Sequence, residues 1–267
     1  MKLAIAFAAA ASLAYGVDSQ ETIRRTLPAA TRLELNNVSG RIHVTGYNGN
    51  QIEMTADKTI NAESQERLEA AKREVTLDIS QSGGELRIYV DGPFRHREGW
   101  HRGYDVNYDF ELKVPASTAL RLSTLNHGAV RVENTSADFD LSNVNGRIEL
   151  VEAAGAGTAH TVNGDISASF AKNPAANSSF KTVNGAIEAS FRPNLSADLR
   201  VKTLNGAAYT DFDATLLPRP AAAAGDRHGG RFVYRADKST FMRVGSGGPE
   251  ITFETLNGEI RIVKRGQ

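Results

Sequence analysis

The sequence predicts an all-β chain: a β-solenoid (β-helix-like) stack of rungs about 18–21 residues long, with one short helical insertion. Two observations predict it. A Thr-Val/Leu-Asn-Gly unit recurs at nearly constant spacing, and the residues after each glycine alternate between polar and apolar with a period of two.

The unit places its glycine at Gly128, Gly146, Gly164, Gly185, Gly206 and Gly258, with a divergent copy at Gly40, which makes seven copies. The paired asparagines are Asn126, Asn145, Asn163, Asn184, Asn205 and Asn257. From Gly128 to Gly206 the glycines step by 18, 18, 21 and 21 residues. A gap of 52 residues before Gly258 implies a degenerate rung or an insertion, and the 88 residues between Gly40 and Gly128 leave room for rungs without the signature. The second position after glycine is apolar (Ile148, Ile166, Ile187, Ile260), as is usually the fourth (Leu150, Ala168, Ala189, Ile262). This marks a half-buried strand. Before the glycine the alternation breaks, because Thr and Val or Leu are adjacent. A bend is expected there, at residues that tolerate left-handed backbone angles. Asn-Gly between alternating strands is also a strong hairpin signal, so a string of hairpins is the rival architecture. Matching columns at a short fixed period favour stacking, in which one Asn per rung can build a side-chain ladder.

Taken in chain order, Met1 to Gly16 has one Lys, an apolar run and small residues at Ala14 and Gly16, the pattern of a signal peptide cleaved after Gly16. Residues 17–267 are then expected as one β-solenoid domain. Divergent rungs occupy 17–118, with a helix over 61–74 rich in helix formers and opened by an Asn or Ser cap. Strand signals resume at Val75–Ile79, Glu85–Val90 and Tyr108–Pro115. Regular repeats fill 119–267, interrupted by a Pro-, Ala- and Gly-rich insertion over 217–249.

Composition narrows the function. Lys plus Arg and Asp plus Glu number 31 each, so no overall field draws the chain to nucleic acid or to an anionic membrane. The absence of cysteine excludes disulfides, thiolate metal sites, a Cys nucleophile and a lipidated N-terminal Cys. The expectation is a non-enzymatic exported protein of the periplasm or cell surface, a binding or scaffold module for an envelope protein or glycan, with no membrane span in the mature chain and no cofactor.

Several stretches together resemble the bacterial putative-adhesin family of β-strand-repeat proteins, a domain of unknown function of the 4097 type. They are the Leu35–Tyr47 unit, the Glu63–Glu74 helical patch, the Tyr108–Pro115 strand, the repeated Asn-Gly units and the closing Gly245–Gly258 stretch. The resemblance implies a β-helix-like fold and an envelope or surface location, and it brings no catalytic residues.

The densest functional-looking stretch is Phe94–Tyr108, which holds the sole Trp. Arg95, His96, Arg97, Trp100, His101, Arg102 and Tyr104 are candidates for a ligand-binding loop, since aromatic faces with Arg and His suit sugar rings and anionic groups. The competing account is a solvated loop with Trp100 tucked over an edge. The spacing of His96 and His101 matches no compact zinc motif, so no metal site is expected. No G-x-S-x-G, H-E-x-x-H or Walker pattern occurs. The enzymatic alternative is polysaccharide cleavage by carboxylates on one face (Asp165, Glu188, Asp211, Asp213). A third reading is a periplasmic sensor partnering a membrane regulator.

Overall fold

A computed structural model of the protein describes residues 16–95, 102–218, 226–228, 231–233 and 239–266. The proposed signal segment, apart from Gly16, lies outside these residues. The N-terminal part comprises β1 (Val17–Pro28), β2 (Arg32–Asn36), β3 (Ile42–Tyr47), β4 (Gln51–Ala62), α1 (Gln65–Glu74), β5 (Thr76–Ser82), β6 (Glu85–Asp91) and β7 (Tyr104–Pro115). The regular repeats give β8 (Ala119–Ser123), β9 (Val130–Glu133), β10 (Phe139–Ser142), β11 (Ile148–Ala153), β12 (Gly157–His160), β13 (Ile166–Phe170), β14 (Ser178–Lys181), β15 (Ile187–Phe191), β16 (Ala197–Asn205) and β17 (Ala208–Thr210). The remainder is β18 (Ala214–Leu216), β19 (Asp226–His228), β20 (Arg231–Val233), β21 (Thr240–Val244), β22 (Glu250–Asn257) and β23 (Ile260–Lys264).

Apart from the small β19–β20 pair, the strands form two long sheets. One runs β1-β4-β7-β3-β9-β11-β13-β15-β23-β17, the other β18-β21-β16-β22-β14-β12-β10-β8-β2-β6-β5. From β8 onward the chain adds a strand to each sheet in turn, and successive additions are parallel. The strands on either side of each Asn-Gly therefore belong to different sheets, and no Asn-Gly closes a hairpin. Both ends finish in antiparallel strands, β1 and β4 beyond β7, β5 beyond β6, and β21 and β18 beyond β16.

The register follows the alternation. Leu35, Leu122, Leu141, Ala159, Phe180, Phe253 and Val201 form one file. Ile42, Val130, Ile148, Ile166, Ile187 and Ile260 form another, on the opposite sheet. All these side chains are buried, in one core cluster running from Ala30 to Ile262. Like stacks on like because neighbouring coils meet at backbone pairing distance. The Phe180 and Phe253 rings stack at 5.4 Å, and Phe170 and Phe191 at 4.9 Å.

The coils are not stacked in sequence order. β22 lies between β14 and β16, and β23 between β15 and β17. The coil carrying Asn257 is thus slotted between those carrying Asn184 and Asn205. Similarly β2 lies between β6 and β8, and β3 between β7 and β9, so the first coil sits inside the second. The 52-residue gap before Gly258 is an insertion: within it β19 and β20 pair antiparallel and β21 lines the edge of β16. The expected helix over 61–74 begins later, at Gln65. Asn61 and Ala62 remain in β4, paired to β1 and β7, so sheet pairing there overrides helix propensity. Ser64 is the cap, its Oγ accepting from the Arg67 N–H.

The corner explains the repeated unit residue by residue. A Cβ on Gly146 would meet the Gly128 carbonyl oxygen at 2.1 Å, one on Gly164 that of Gly146 at 2.3 Å, and one on Gly185 that of Gly164 at 2.1 Å. Gly258 stands in the same way against Gly185, and Gly206 against Gly258, each at 2.0 Å. The expectation that these glycines supply left-handed angles is corrected. Of the corner glycines only Gly40 and Gly258 take positive φ, and none of the corner asparagines does. Glycine is required because the coil below leaves no room for a methyl group. The carbonyl it packs against needs a donor, and the threonine of the unit supplies one. Thr161 Oγ1 donates to Gly146 O at 2.8 Å, Thr182 to Gly164 O at 2.9 Å, Thr255 to Gly185 O at 3.0 Å and Thr203 to Gly258 O at 3.0 Å. Asn143, at the threonine position of its copy, donates from Nδ2 to Gly128 O. Outside the corner the asparagines form the ladder. Each Nδ2 donates to the next Oδ1, Asn145 to Asn126, Asn163 to Asn145, Asn184 to Asn163, Asn257 to Asn184 and Asn205 to Asn257, at 2.7–2.8 Å.

Candidate functional site

Where β7 begins, the repeat corner meets the helix-bearing end of the molecule. Tyr104 and Asp105 pair with Ala62 and Asn61 of β4. Helix α1 packs Leu68 and Ala71 against Ile60 and Ala62, beside Tyr104 and Val106. Lys58, buried beneath the helix, donates to Val75 O at 2.9 Å and lies 5.5 Å from the Tyr108 ring centre. Burial lowers the Lys58 pKa.

Glu74, at the helix end, is held by two donors, Tyr104 Oη at 2.6 Å and Arg102 Nη1 at 3.0 Å. The Tyr104 hydrogen bond is the largest influence lowering the Glu74 pKa, with Arg102 acting in the same direction. Burial, and then Glu74 itself, raise Tyr104 to about 12.

Two clefts share Asn61, Arg102, Tyr104 and Asp105 in their walls. One, of about 610 Å³, is completed mainly by Val17, Asp18, Glu63 and Arg67. The other, of about 540 Å³, opens onto the corner through Val38, Ser39, Leu125, Asn126 and His127, and Phe94 and Asn107 also line it. In the second cleft the hydrogen bonds fix a proton. Asn107 Nδ2 donates to Asp109 Oδ1 at 3.2 Å, so its Oδ1 accepts from Ser39 Oγ at 3.1 Å. The single Ser39 hydroxyl proton is then spent, and His127 Nδ1, 3.1 Å away, is the donor to Ser39. In the neutral ring Nε2 is left as the acceptor.

The family model of Toastrack DUF4097 matches residues 18–215, most of the chain. The chain belongs to the Toastrack DUF4097 family. Three solved structures resemble it at low identity. A putative cell adhesion protein from Clostridium sporogenes is 9% identical with a TM-score of 0.47, over 94% of this chain and 100% of that one. A putative adhesin from Bacteroides fragilis is 11% identical with a TM-score of 0.40, over 92% of this chain and 98% of that one. A putative lipid binding protein from Parabacteroides distasonis is 10% identical with a TM-score of 0.26, over 92% of this chain and 97% of that one. No curated protein matches the chain.

In this Toastrack chain the loop residues named from sequence separate. Arg102 and Tyr104 line both clefts. Arg95 does not face them. Its Nε donates to Val90 O at 2.8 Å, its Nη2 donates to Asn36 Oδ1 at 2.9 Å, and its guanidinium lies 4.1 Å from the Tyr89 ring centre. It roots the loop on β6. His96, Arg97, Trp100 and His101 lie outside the described residues. Sequence reasoning missed His127 and Glu74. The signal for His127 was legible: the first regular copy reads Asn126-His127-Gly128, one residue longer than the others, and the extra residue is accommodated at φ +58°.

Three of the four carboxylates weighed for catalysis have a partner nearby. Asp165 Oδ1 accepts from the Ala186 N–H at 2.7 Å, Asp211 Oδ1 from the Lys264 N–H at 2.6 Å, and Asp213 lies 4.0 Å from Lys264 Nζ. Among the described residues no group of three His, Asp or Glu is arranged to hold a metal ion, and no helix is long and apolar enough to cross a membrane.

Proposed function

We propose that the protein is a β-solenoid binding module, exported after loss of residues 1–16, that engages an envelope glycan or protein without chemical turnover. The observation that carries the reading is the cleft of about 540 Å³ at the corner. It joins aromatic and aliphatic walls (Phe94, Tyr104, Val38, Leu125) to convergent polar groups (Arg102, His127, Asn61, Asn107), the mixture that recognition sites combine. Its walls stand on paired strands and on the asparagine ladder, so little ordering is required on binding. His96, Arg97, Trp100 and His101 enter the proposal from their chemistry in the sequence alone, and Arg95, committed to Val90, Asn36 and Tyr89, drops out of it.

The test is a saturation measurement with the mature chain against an array of envelope glycans, together with crosslinked capture from envelope extracts. Trp100→Ala and Arg102→Ala are each expected to weaken a saturable interaction by about tenfold. Unchanged affinity in Arg102→Ala would remove the cleft from the reading. Glycan cleavage abolished by substituting one carboxylate pair would replace a binding module by an enzyme.

A further inference from the structure

The valine or leucine of each repeat points outward, where alternation predicts a polar residue. Val38, Leu125, Val144, Val162, Val183, Leu256 and Leu204 stand in successive coils, half-buried or exposed. Stacking on their neighbours half-buries the four valines and leaves the leucines exposed, Leu125 at 41%, Leu256 at 42% and Leu204 at 50%. These three are among only five exposed large hydrophobic residues in the described chain. Beside this aliphatic file runs the asparagine ladder. Each amide spends one N–H and one oxygen lone pair on its neighbours, which leaves one donor and one acceptor per coil for solvent. The spacing is that of paired strands, about 4.8 Å. Neither file contains an ionisable side chain. At their N-terminal end both enter the cleft, where Val38, Leu125 and Asn126 form part of the wall.

We propose that the two files form a track for a neutral, linear glycan that has one end in the cleft and lies along the coils. This rests on the binding reading above and names its ligand class. Sugar rings present C–H faces that suit an aliphatic row and hydroxyls that both donate and accept, as the free half of each amide does. An acyl chain would leave those amides unsatisfied. An acidic polymer would meet no cation along either file. An extended polypeptide pairs through a sheet edge, and this corner presents side chains between two sheets.

The experiment is calorimetric titration of the full mature chain with cello-oligosaccharides and chito-oligosaccharides from disaccharide to hexasaccharide, with oligogalacturonate as the charged arm. Affinity is expected to rise by about tenfold from the shortest to the longest neutral chain. Val162→Lys should abolish the rise while leaving disaccharide binding intact, and Val162→Thr should retain it. Should Val162→Lys lower the melting temperature, Val144→Lys and Val162→Ser provide the same reading. Disaccharide binding without dependence on length would overturn the track and leave the cleft standing. Equal affinity for oligogalacturonate would overturn its neutral character. Binding of none of these sugars, with an envelope protein captured at the cleft instead, would overturn the track and retain the binding module. Failure of Arg102→Ala to change any captured interaction would remove the underlying reading as well.

Discussion

At the scale of single residues, the Thr-Val/Leu-Asn-Gly unit solves a contact between coils. The glycine lets the backbones close, the threonine satisfies the carbonyl this traps, and the asparagine bonds to its counterpart above. Gly164→Ala would place a methyl group 2.3 Å from the Gly146 carbonyl oxygen, with backbone rather than a movable side chain in the way. We expect a loss of about 3 kcal/mol. Thr182→Val keeps the shape but leaves the Gly164 carbonyl without its donor, and should cost about 1–3 kcal/mol. Urea denaturation checks both, and midpoints equal to wild type would contradict this account of the corner. The unit itself was legible in the sequence, because columns of like residues are visible without coordinates. The reason for its glycine was not. A left-handed turn and a close approach demand the same residue, and only the neighbouring coil distinguishes them.

At the scale of elements, helix α1 is tied to β7 through Glu74, Tyr104 and Arg102. The Glu74 pKa is lowered on folding, so its contribution is complete above the ordinary carboxylate value of 4.5 and fades as pH falls through the folded value. The Tyr104 pKa is raised from 10.0 to about 12, so its contribution is complete below 10 and is lost as pH rises towards 12. The helix should be held most firmly between those limits. Tyr104→Phe should raise amide exchange in residues 65–74 near neutral pH and flatten the dependence on both sides, and unchanged protection would contradict the tie. The helix was legible from its composition, but its first turn was misplaced because strand pairing at Asn61 and Ala62 outweighs local preference. The cleft was half legible. Arg102 and Tyr104 stand out in an aromatic, basic stretch, whereas Glu74 looks like any charge on a solvated helix, and Arg95 has the same chemistry as a ligand-binding arginine yet braces Tyr89 and Asn36.

At the scale of the molecule, the two long sheets follow from the period of the repeat, while the order of coils does not. Repeats in a sequence give no sign that the final copy enters between two earlier ones, since every copy offers the same columns to any neighbour. The consequence is measurable. Phe253 lies between Phe180 and Val201 in register, and Glu254 accepts from Lys202 Nζ at 2.6 Å while lying 3.9 Å from Lys181 Nζ. Phe253→Ala should cost about 3–5 kcal/mol. It should also raise hydrogen exchange together in residues 178–191 and 197–210, on both sides of the inserted coil. Exchange raised only within 250–264 would show that the flanking coils do not depend on it.

β16 and β17 precede β22 and β23 in the chain, so until the last copy docks, β14 and β15 present an edge without its native neighbour. Because every copy offers the same columns, β16 and β17 can pair at that edge in place of β22 and β23, and the final copy is then left without its slot. A chain cut short between Thr210 and Glu250 lacks β22 and β23, the strands through which β16 and β17 join the rest of the two sheets.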